Sequence, residues 1–281
     1  MSSLDLKGKI ALVTGGGTGI GLMIANEFSK NGAKVYITGR RLDVLQKTAA
    51  EAGLVPLQMD VSDKQSIANA VKIIDQDEGK LDILVNNAGV LGPNFPIITN
   101  KPTTNDAAVF GSTLFTEGSF DQWTDVLQTN IIAPYFVIMG FLPLLERGAR
   151  TREGETSSVI NISSSAAFSK LTGGFSVYGI SKSALHHLTS IWATEFALHK
   201  IPVRVNCIAP GPFPSELTGT RDDMAEWITE PLPGLFNPVP TLRPGTQIEI
   251  GAAAVVLSSR AGEFINGIIM PVDGGISLVN P

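Results

Sequence analysis

The chain has 281 residues, 43% hydrophobic and 17% charged, which is enough apolar material for a sizeable α/β core. Its formal charge of −5 and pI near 5.3 argue against a nucleic-acid or anionic-membrane surface. A single cysteine, Cys207, excludes an internal disulfide, and with three scattered histidines it offers no Cys/His ligand spacing, so no metal is expected.

At the N-terminus, Met1-Ser2-Ser3-Leu4-Asp5 lacks the basic and apolar blocks of a secretory signal. Nowhere do about 18 apolar residues run uninterrupted, so no membrane partner and a cytoplasmic location are expected. Ile10–Thr14 reads as a first buried strand, and the stretch from Gly19 to Asn31 as an amphipathic helix stopped by Asn31-Gly32. Further strands are predicted at Lys34–Thr38, Val55–Met59, Ile83–Asn86, Ser158–Ile162, Val203–Ile208 and Gly267–Pro271. Helical segments separate most of them, including Asp121–Leu145 and Ser181–Ala197. Alternation of this kind predicts an α/β fold in one domain over residues 1–281: a doubly wound, mainly parallel, seven-stranded sheet with helices on both faces.

Two stretches break the rhythm. The first, about residues 92–119, is rich in Pro, Asn, Thr and Gly and includes Phe95, Phe110, Leu114 and Phe115. The second, about 211–245, holds many prolines and one short helical candidate near Asp222–Thr229. Both follow strand ends on the side where α/β sheets bind ligands, which predicts lids, the first of them a wall of the substrate pocket, with an exposed flap as the alternative. Glu146 to Glu155 reads as a charged surface loop.

After the first strand comes Thr14-Gly15-Gly16-Gly17-Thr18-Gly19-Ile20-Gly21. Glycines let a backbone turn sharply and approach a pyrophosphate, and the helix that follows offers free N–H groups and a positive dipole end. The strict G-x-G-x-x-G register is absent; the spacing is T-G-x-x-x-G-x-G, and with it the chain resembles the short-chain dehydrogenase/reductase family. Four more matches follow in that family's order: Asp60-Val61, Asn86-Asn87-Ala88-Gly89, Pro210-Gly211 and Pro271-Val272-Asp273-Gly274-Gly275. The resemblance covers nearly the whole chain. It implies a Rossmann fold, with Gly15, Gly17, Thr18, Gly19, Ile20 and Gly21 around the pyrophosphate and Asp60 and Val61 at the adenine. It also implies that Asn87, Ala88 and Gly89 line the cleft, and that Pro210, Gly211, Phe213 and Ser215 lie by the nicotinamide carboxamide.

The second strand ends in Thr38-Gly39-Arg40-Arg41, where an NAD-preferring relative places an acidic side chain roughly 20 residues past the glycine turn. Here the first carboxylate is Asp43, whereas a guanidinium suits a 2′-phosphate in charge and fork geometry. Arg40 and Arg41 therefore predict NADP(H) as cofactor.

Tyr178 and Lys182 stand at i and i+4, one above the other on a helix face. A phenol with a pKa near 10 is a poor acid/base at neutral pH, and a neighbouring ammonium is expected to lower that value. By resemblance, Tyr178 exchanges the proton with the carbonyl or alcohol oxygen, and Lys182 holds the nicotinamide ribose. Ser164 holds the substrate oxygen, with Ser165 an alternative because the loop to Tyr178 is slightly longer than in many relatives. Asn130 anchors a water in the proton relay. His186 and His187 read as ordinary helix residues and Cys207 as inert core.

The expected activity is NADP(H)-dependent hydride transfer at a carbonyl or secondary alcohol of a small molecule, with 3-oxoacyl and secondary-metabolite ketones as substrate classes. Leu217, Met224, Trp227, Leu232, Leu235 and Phe236 suggest an apolar, bulky pocket. Use of the bound cofactor for non-redox chemistry, or a binding and regulatory role, stays open. Relatives assemble through helices like Asp121–Leu145 and Ser181–Ala197, so a homo-oligomer, tetramer or dimer, is expected.

Overall fold

In the computed structural model, which describes residues 3–99, 106–231 and 236–280, the β-branched runs pair into one sheet of seven parallel strands. In chain order these are β1 (Ile10–Thr14), β2 (Lys34–Gly39), β3 (Val55–Gln58), β4 (Ile83–Asn86), β5 (Ser157–Ile162), β6 (Val203–Pro210) and β7 (Ile269–Val272). Every residue of β1, β4, β5 and β6 is buried, as covered parallel strands require.

Successive strand residues point to opposite faces, and the two apolar layers sort accordingly. Ala11 and Val13 join one layer with Ile24, Phe28 and Ile250, under helices α1 (Gly19–Lys30), α2 (Leu42–Ala52) and the later helix Gln247–Ser258. Ile10 and Leu12 join the other with Ile74, Phe141 and Phe196, under α3 (Lys64–Glu78) and the long helices Ala133–Arg150 and Ser176–Leu198. The strand order is β3-β2-β1-β4-β5-β6-β7. The chain therefore reverses direction of growth between β1 and β4, and a crevice opens beyond their carboxyl ends.

The helices between β4 and β5 depart from the expected pattern. The segment after β4 forms two helices, α4 (Pro96–Thr99) and α5 (Ala107–Glu117), and none of their residues is buried. Then α6 (Phe120–Leu127) runs into a π-helical turn, Gln128–Ile132, before α7 (Ala133–Arg150). The whole run Phe120–Arg150 is long and apolar enough to cross a membrane by length and composition. Its buried stripe, including Val137, Phe141 and Leu145, packs on the sheet layer. The remaining helices are α8 (Ser176–Leu198), α9 (Arg221–Thr229), α10 (Gln247–Ser258) and α11 (Ile276–Val279). The helix carrying Tyr178 thus starts five residues earlier than its periodicity suggests.

The Glu146–Glu155 stretch is not a simple surface loop, which corrects the sequence reading. Its first half continues α7. Its second half reaches the amino-terminal ends of the strands, where Arg152 pairs with the fully buried Asp82 and with Glu155 (3.0 Å). Glu155 also meets Lys9 (3.4 Å), and Asp82 accepts the Ile10 N–H (2.7 Å). Next along, Arg204 donates to Thr156 Oγ1 (2.7 Å) and the Leu257 carbonyl (2.9 Å). A buried carboxylate is costly unless paired, and this cluster pairs it.

Candidate active site

The glycine turn closes as its composition requires. Gly15 and Gly19 have φ of 62° and 54°, the left-handed region that side chains avoid. Gly21 faces away from the cleft: a Cβ there would sit 2.4 Å from the Gly15 carbonyl oxygen and 2.5 Å from Asn87 Nδ2. It packs the helix start onto the turn, and the Asn87 amide completes the join by donating to the Thr14 (2.9 Å) and Gly15 (3.1 Å) carbonyls. Thr14 Oγ1 in turn accepts the Asn87 and Ala88 N–H groups, both at 3.0 Å. Gly21→Ala is therefore expected to weaken dinucleotide binding by roughly ten- to a hundredfold, the scale of an overpacked contact. Calorimetric titration checks this; an unchanged affinity would mean the turn can shift freely.

A cleft of about 510 Å³ runs over this turn. Gly15, Gly17, Thr18, Gly19 and Ile20 form its floor, and Arg40, Arg41, Asp60 and Val61 line its end beyond β2 and β3. Asn87, Ala88, Gly89, Tyr178, Lys182 and Ser215 also line it. Asp60 accepts the Ser62 hydroxyl (2.6 Å) and N–H (2.9 Å), which hold its carboxyl below the usual range. Thr38 Oγ1 borders the cleft, buried and without a hydrogen-bond partner among the described residues. A glycine-floored groove at a helix start, with guanidinium groups at one end, fits a dinucleotide. Arg41 is not free: its Nη2 donates to both Glu216 carboxylate oxygens, at 3.0 and 2.8 Å.

A second cavity of about 670 Å³ adjoins the first and takes in Pro210, Gly211 and Phe213. None of its described lining residues is Asp, Glu, Lys, Arg or His. Leu217 and Phe236 line it as expected, whereas Met224 is packed with Ile228 and Val239 instead. Leu232, Leu235 and the Trp227 side chain lie outside the described residues. The expectation that residues 92–119 wall this pocket is not met by the described part of that segment. Phe95 is buried, but Phe110 and Phe115 are exposed, and the lining stops at Leu91. The segment is instead pinned at its base, where the Phe95 N–H donates to the Gly174 carbonyl (2.9 Å). Ser215 borders both cavities, yet its hydroxyl is engaged with Thr218 Oγ1 (2.9 Å) and the Leu217 N–H (3.2 Å).

Tyr178, in the first turn of α8, stands where the two cavities meet. Lys182 lies on the cleft side of it, its Nζ 5.6 Å from the phenol ring centroid and donating to the Ile162 carbonyl (2.9 Å). Ser164 lies on the other side, beside the phenol, and its Oγ caps the turn by accepting the Ala166 N–H (3.1 Å). Burial raises the Tyr178 pKa, and the neighbouring Ser164 hydroxyl only partly offsets that. Burial also pushes Lys182 down to about 8. Among the chain's own groups, desolvation of the phenolate outweighs the Ser164 contribution, the opposite direction to the lowering expected from Lys182 together with a bound nicotinamide.

Asn130 sits in the π turn, a local widening of the helix often found at functional sites. Its Oδ1 accepts the Val90 N–H (2.9 Å), and its Nδ2 donates to the Val90 carbonyl (2.9 Å) and Ser181 Oγ (3.0 Å). Ser181 then donates to the Tyr178 carbonyl (2.7 Å). Both Nδ2 hydrogens are spent on protein groups. Gly89 is needed between them, since a Cβ would come within 3.1 Å of Asn130 Oδ1 and 3.4 Å of Lys182 Nζ.

Two residues make contacts that the sequence does not foretell. His186, one turn beyond Lys182, brings Nε2 to 2.7 Å from the Ser163 hydroxyl, and burial followed by the Lys182 charge lowers its pKa. Glu216 joins Arg41 across 175 residues of sequence. Cys207 is buried in β6 as expected, its thiol pushed up to about 11 by burial.

Residues 9–226 match the family model described as short chain dehydrogenase. The short-chain dehydrogenase/reductase VdtF of Byssochlamys spectabilis is 35% identical over 295 residues, covering 98% of this chain and 94% of the relative. The rhamnolipids biosynthesis 3-oxoacyl-(acyl-carrier-protein) reductase of Pseudomonas aeruginosa is 34% identical over 280 residues, 98% of each chain. Among solved structures, the Pseudomonas aeruginosa RhlG/NADP active-site complex aligns with a TM-score of 0.80 at 30% identity, covering 99% of both chains. A 3-ketoacyl-(acyl-carrier-protein) reductase from Brucella melitensis complexed with NADH aligns at 0.77 and 25% identity, covering 97% of this chain and 100% of that one.

Proposed function

We propose, from the premise that this chain belongs to the short-chain dehydrogenase/reductase family, that it is an NADP(H)-dependent reductase of an uncharged, largely apolar carbonyl compound. One observation carries the reading: Tyr178 is shared by the glycine-floored cleft and the uncharged cavity, with Lys182 on one side and Ser164 on the other. A nicotinamide bound in the cleft supplies hydride at its C4 in reduction and accepts it in oxidation. Everything else falls to the chain's own residues.

The Ser164 hydroxyl holds the substrate oxygen beside Tyr178, and the phenol donates its proton to that oxygen as the carbonyl is reduced. With its pKa raised, Tyr178 is protonated at neutral pH and ready to donate. Lys182, held by the Ile162 carbonyl, favours the phenolate left behind and would bind the cofactor ribose. Asn130 acts at one remove, as a positioning residue: it fixes Ser181, which fixes the first turn of α8.

NADP(H) is supported by Arg40 and Arg41 at the adenosine end and by the similarity to a protein solved with NADP. A substrate without charge follows from the lining of the second cavity, whose size suits a drug-sized molecule. The name of the Pseudomonas aeruginosa relative keeps a 3-oxoacyl chain among the candidates. Assembly into a homo-oligomer is supported by apolar side chains exposed on α7 and α8, Tyr135 and Ile191 among them.

The test is cofactor oxidation by the purified protein over a panel of neutral ketones, keto acids and 3-oxoacyl thioesters. NADPH should be preferred to NADH by at least tenfold in kcat/KM, the value of roughly one charge-assisted contact. Neutral ketones should outrun keto acids. Equal use of NADH, or a preference for the charged substrates, would overturn the cofactor or the substrate half of the proposal respectively.

A further inference from the structure

We infer that Glu216 is the chain's own competitor for the 2′-phosphate site: it occupies Arg41, and so sets how strongly the protein separates NADP(H) from NAD(H). The inference rests on the proposed NADP(H) reading of the cleft. Three observations carry it.

First, Glu216 is placed there by a built turn. It follows Ser215 in a tight loop closed by paired backbone hydrogen bonds, Ser215 N–H to the Gly219 carbonyl (3.2 Å) and Gly219 N–H to the Ser215 carbonyl (2.9 Å). The same loop presses on the phosphate-binding turn, for a Cβ on Gly19 would meet Ser215 Cβ at 2.9 Å. Glu216 therefore stands over the end of β2 because the loop delivers it there.

Second, the contact uses the chemistry a phosphate would use. Both carboxylate oxygens take hydrogen bonds from one guanidinium nitrogen of Arg41, in the cleft wall beside Arg40. Carboxylate and phosphate oxygens are alternative acceptors for a guanidinium, and Arg41 cannot give the same nitrogen fully to both.

Third, the pair is weak enough to yield. The two side chains are 60% and 58% exposed, where ion pairs contribute little and are screened by water. A dianionic phosphate outbids a monoanionic carboxylate at such a site, and the displaced carboxylate, still tethered nearby, then repels it. Glu216 thus taxes the phosphorylated cofactor and leaves its unphosphorylated counterpart nearly untouched.

The test measures binding by calorimetry with two fragments, adenosine 2′,5′-bisphosphate and 5′-AMP, on wild type, Glu216→Gln, Arg41→Ala and the double variant. Glu216→Gln is expected to tighten the bisphosphate about threefold or more, with 5′-AMP changing by less than about twofold. In the Arg41→Ala background the gain from Glu216→Gln should largely vanish, because the contested nitrogen is gone. Equal tightening of both fragments, no tightening of either, or a gain that persists undiminished without Arg41 would each overturn the inference. The NADP(H) reading fails separately, if wild type binds the bisphosphate no more tightly than 5′-AMP; a selective gain in Glu216→Gln would still uphold the role of Glu216.

Discussion

Tyr178→Phe is expected to slow NADPH-dependent ketone reduction by about 10²–10⁴-fold, the usual contribution of a positioned acid. The affinity for the cofactor should stay within about threefold of wild type. The ring that forms the boundary between the two cavities is retained in Phe, and so is the cation–ring contact with Lys182 at 5.6 Å. What disappears is the hydroxyl alone, which lies beside Ser164. Steady-state kinetics combined with a fluorescence titration of cofactor separate the two effects. A variant that keeps a tenth or more of wild-type turnover would assign the proton transfer to another group, and Ser164 would be the first to examine.

Lys182→Met is expected to cost activity and to increase stability, and the gain should depend on pH. Lys182 is 4% exposed, and burial pushes its pKa from 10.5 to about 8. Below about pH 8 the folded and unfolded chains both carry the proton, so the folded protein bears the full cost of a buried ammonium, about 3 kcal/mol. Between about 8 and 10.5 the folded chain releases the proton while the unfolded chain keeps it, so stability rises with pH across that window. Methionine removes the cost and also the hydrogen bond to the Ile162 carbonyl, worth about 1 kcal/mol. The net result at pH 7 is a melting temperature several degrees higher, shrinking toward nothing near pH 10. Turnover should fall by about 10²-fold or more, since the phenolate loses its stabilising charge. Melting curves of both proteins at pH 7 and pH 10 decide the matter: a less stable Met variant, or a gain independent of pH, would show that Lys182 is better accommodated than its burial suggests.

The legible parts of this molecule are those written in consecutive residues. Strands such as Ile10–Thr14 announce themselves by composition, and the glycine turn by its spacing and its place between strand and helix. Pro210, Gly211 and Phe213 were legible only as a motif; the second cavity gathers them. Pairings between distant segments have no such signature. Nothing near Arg41 foretells Glu216, and nothing near Asp82 foretells Arg152. The π turn at Asn130 hides for a related reason: one extra residue in a helix shifts its periodicity too little to detect in a single sequence. Helix α5 offered a local clue, since Asp106 caps it by accepting the Ala108 N–H at 2.8 Å, but its Pro- and Thr-rich approach masks the helical pattern. His186 could have been singled out by its place one turn after Lys182, though only the fold reveals Ser163 opposite it.

The ion cluster around Asp82 gives the sheet a division of labour. Lys9, Asp82, Thr156 and Arg204 precede or open β1, β4, β5 and β6, and all sit at the end away from the cleft. Four strands are thereby tied together at their starts, like the spine of a book. Their far ends, where the pages open, carry loops of very different length, from the few residues of the glycine turn to the long excursion after Gly89. The loops that line the second cavity lie at the opposite end from these ionic ties, so the cavity could be reshaped by a protein engineer without disturbing what holds the strands in register.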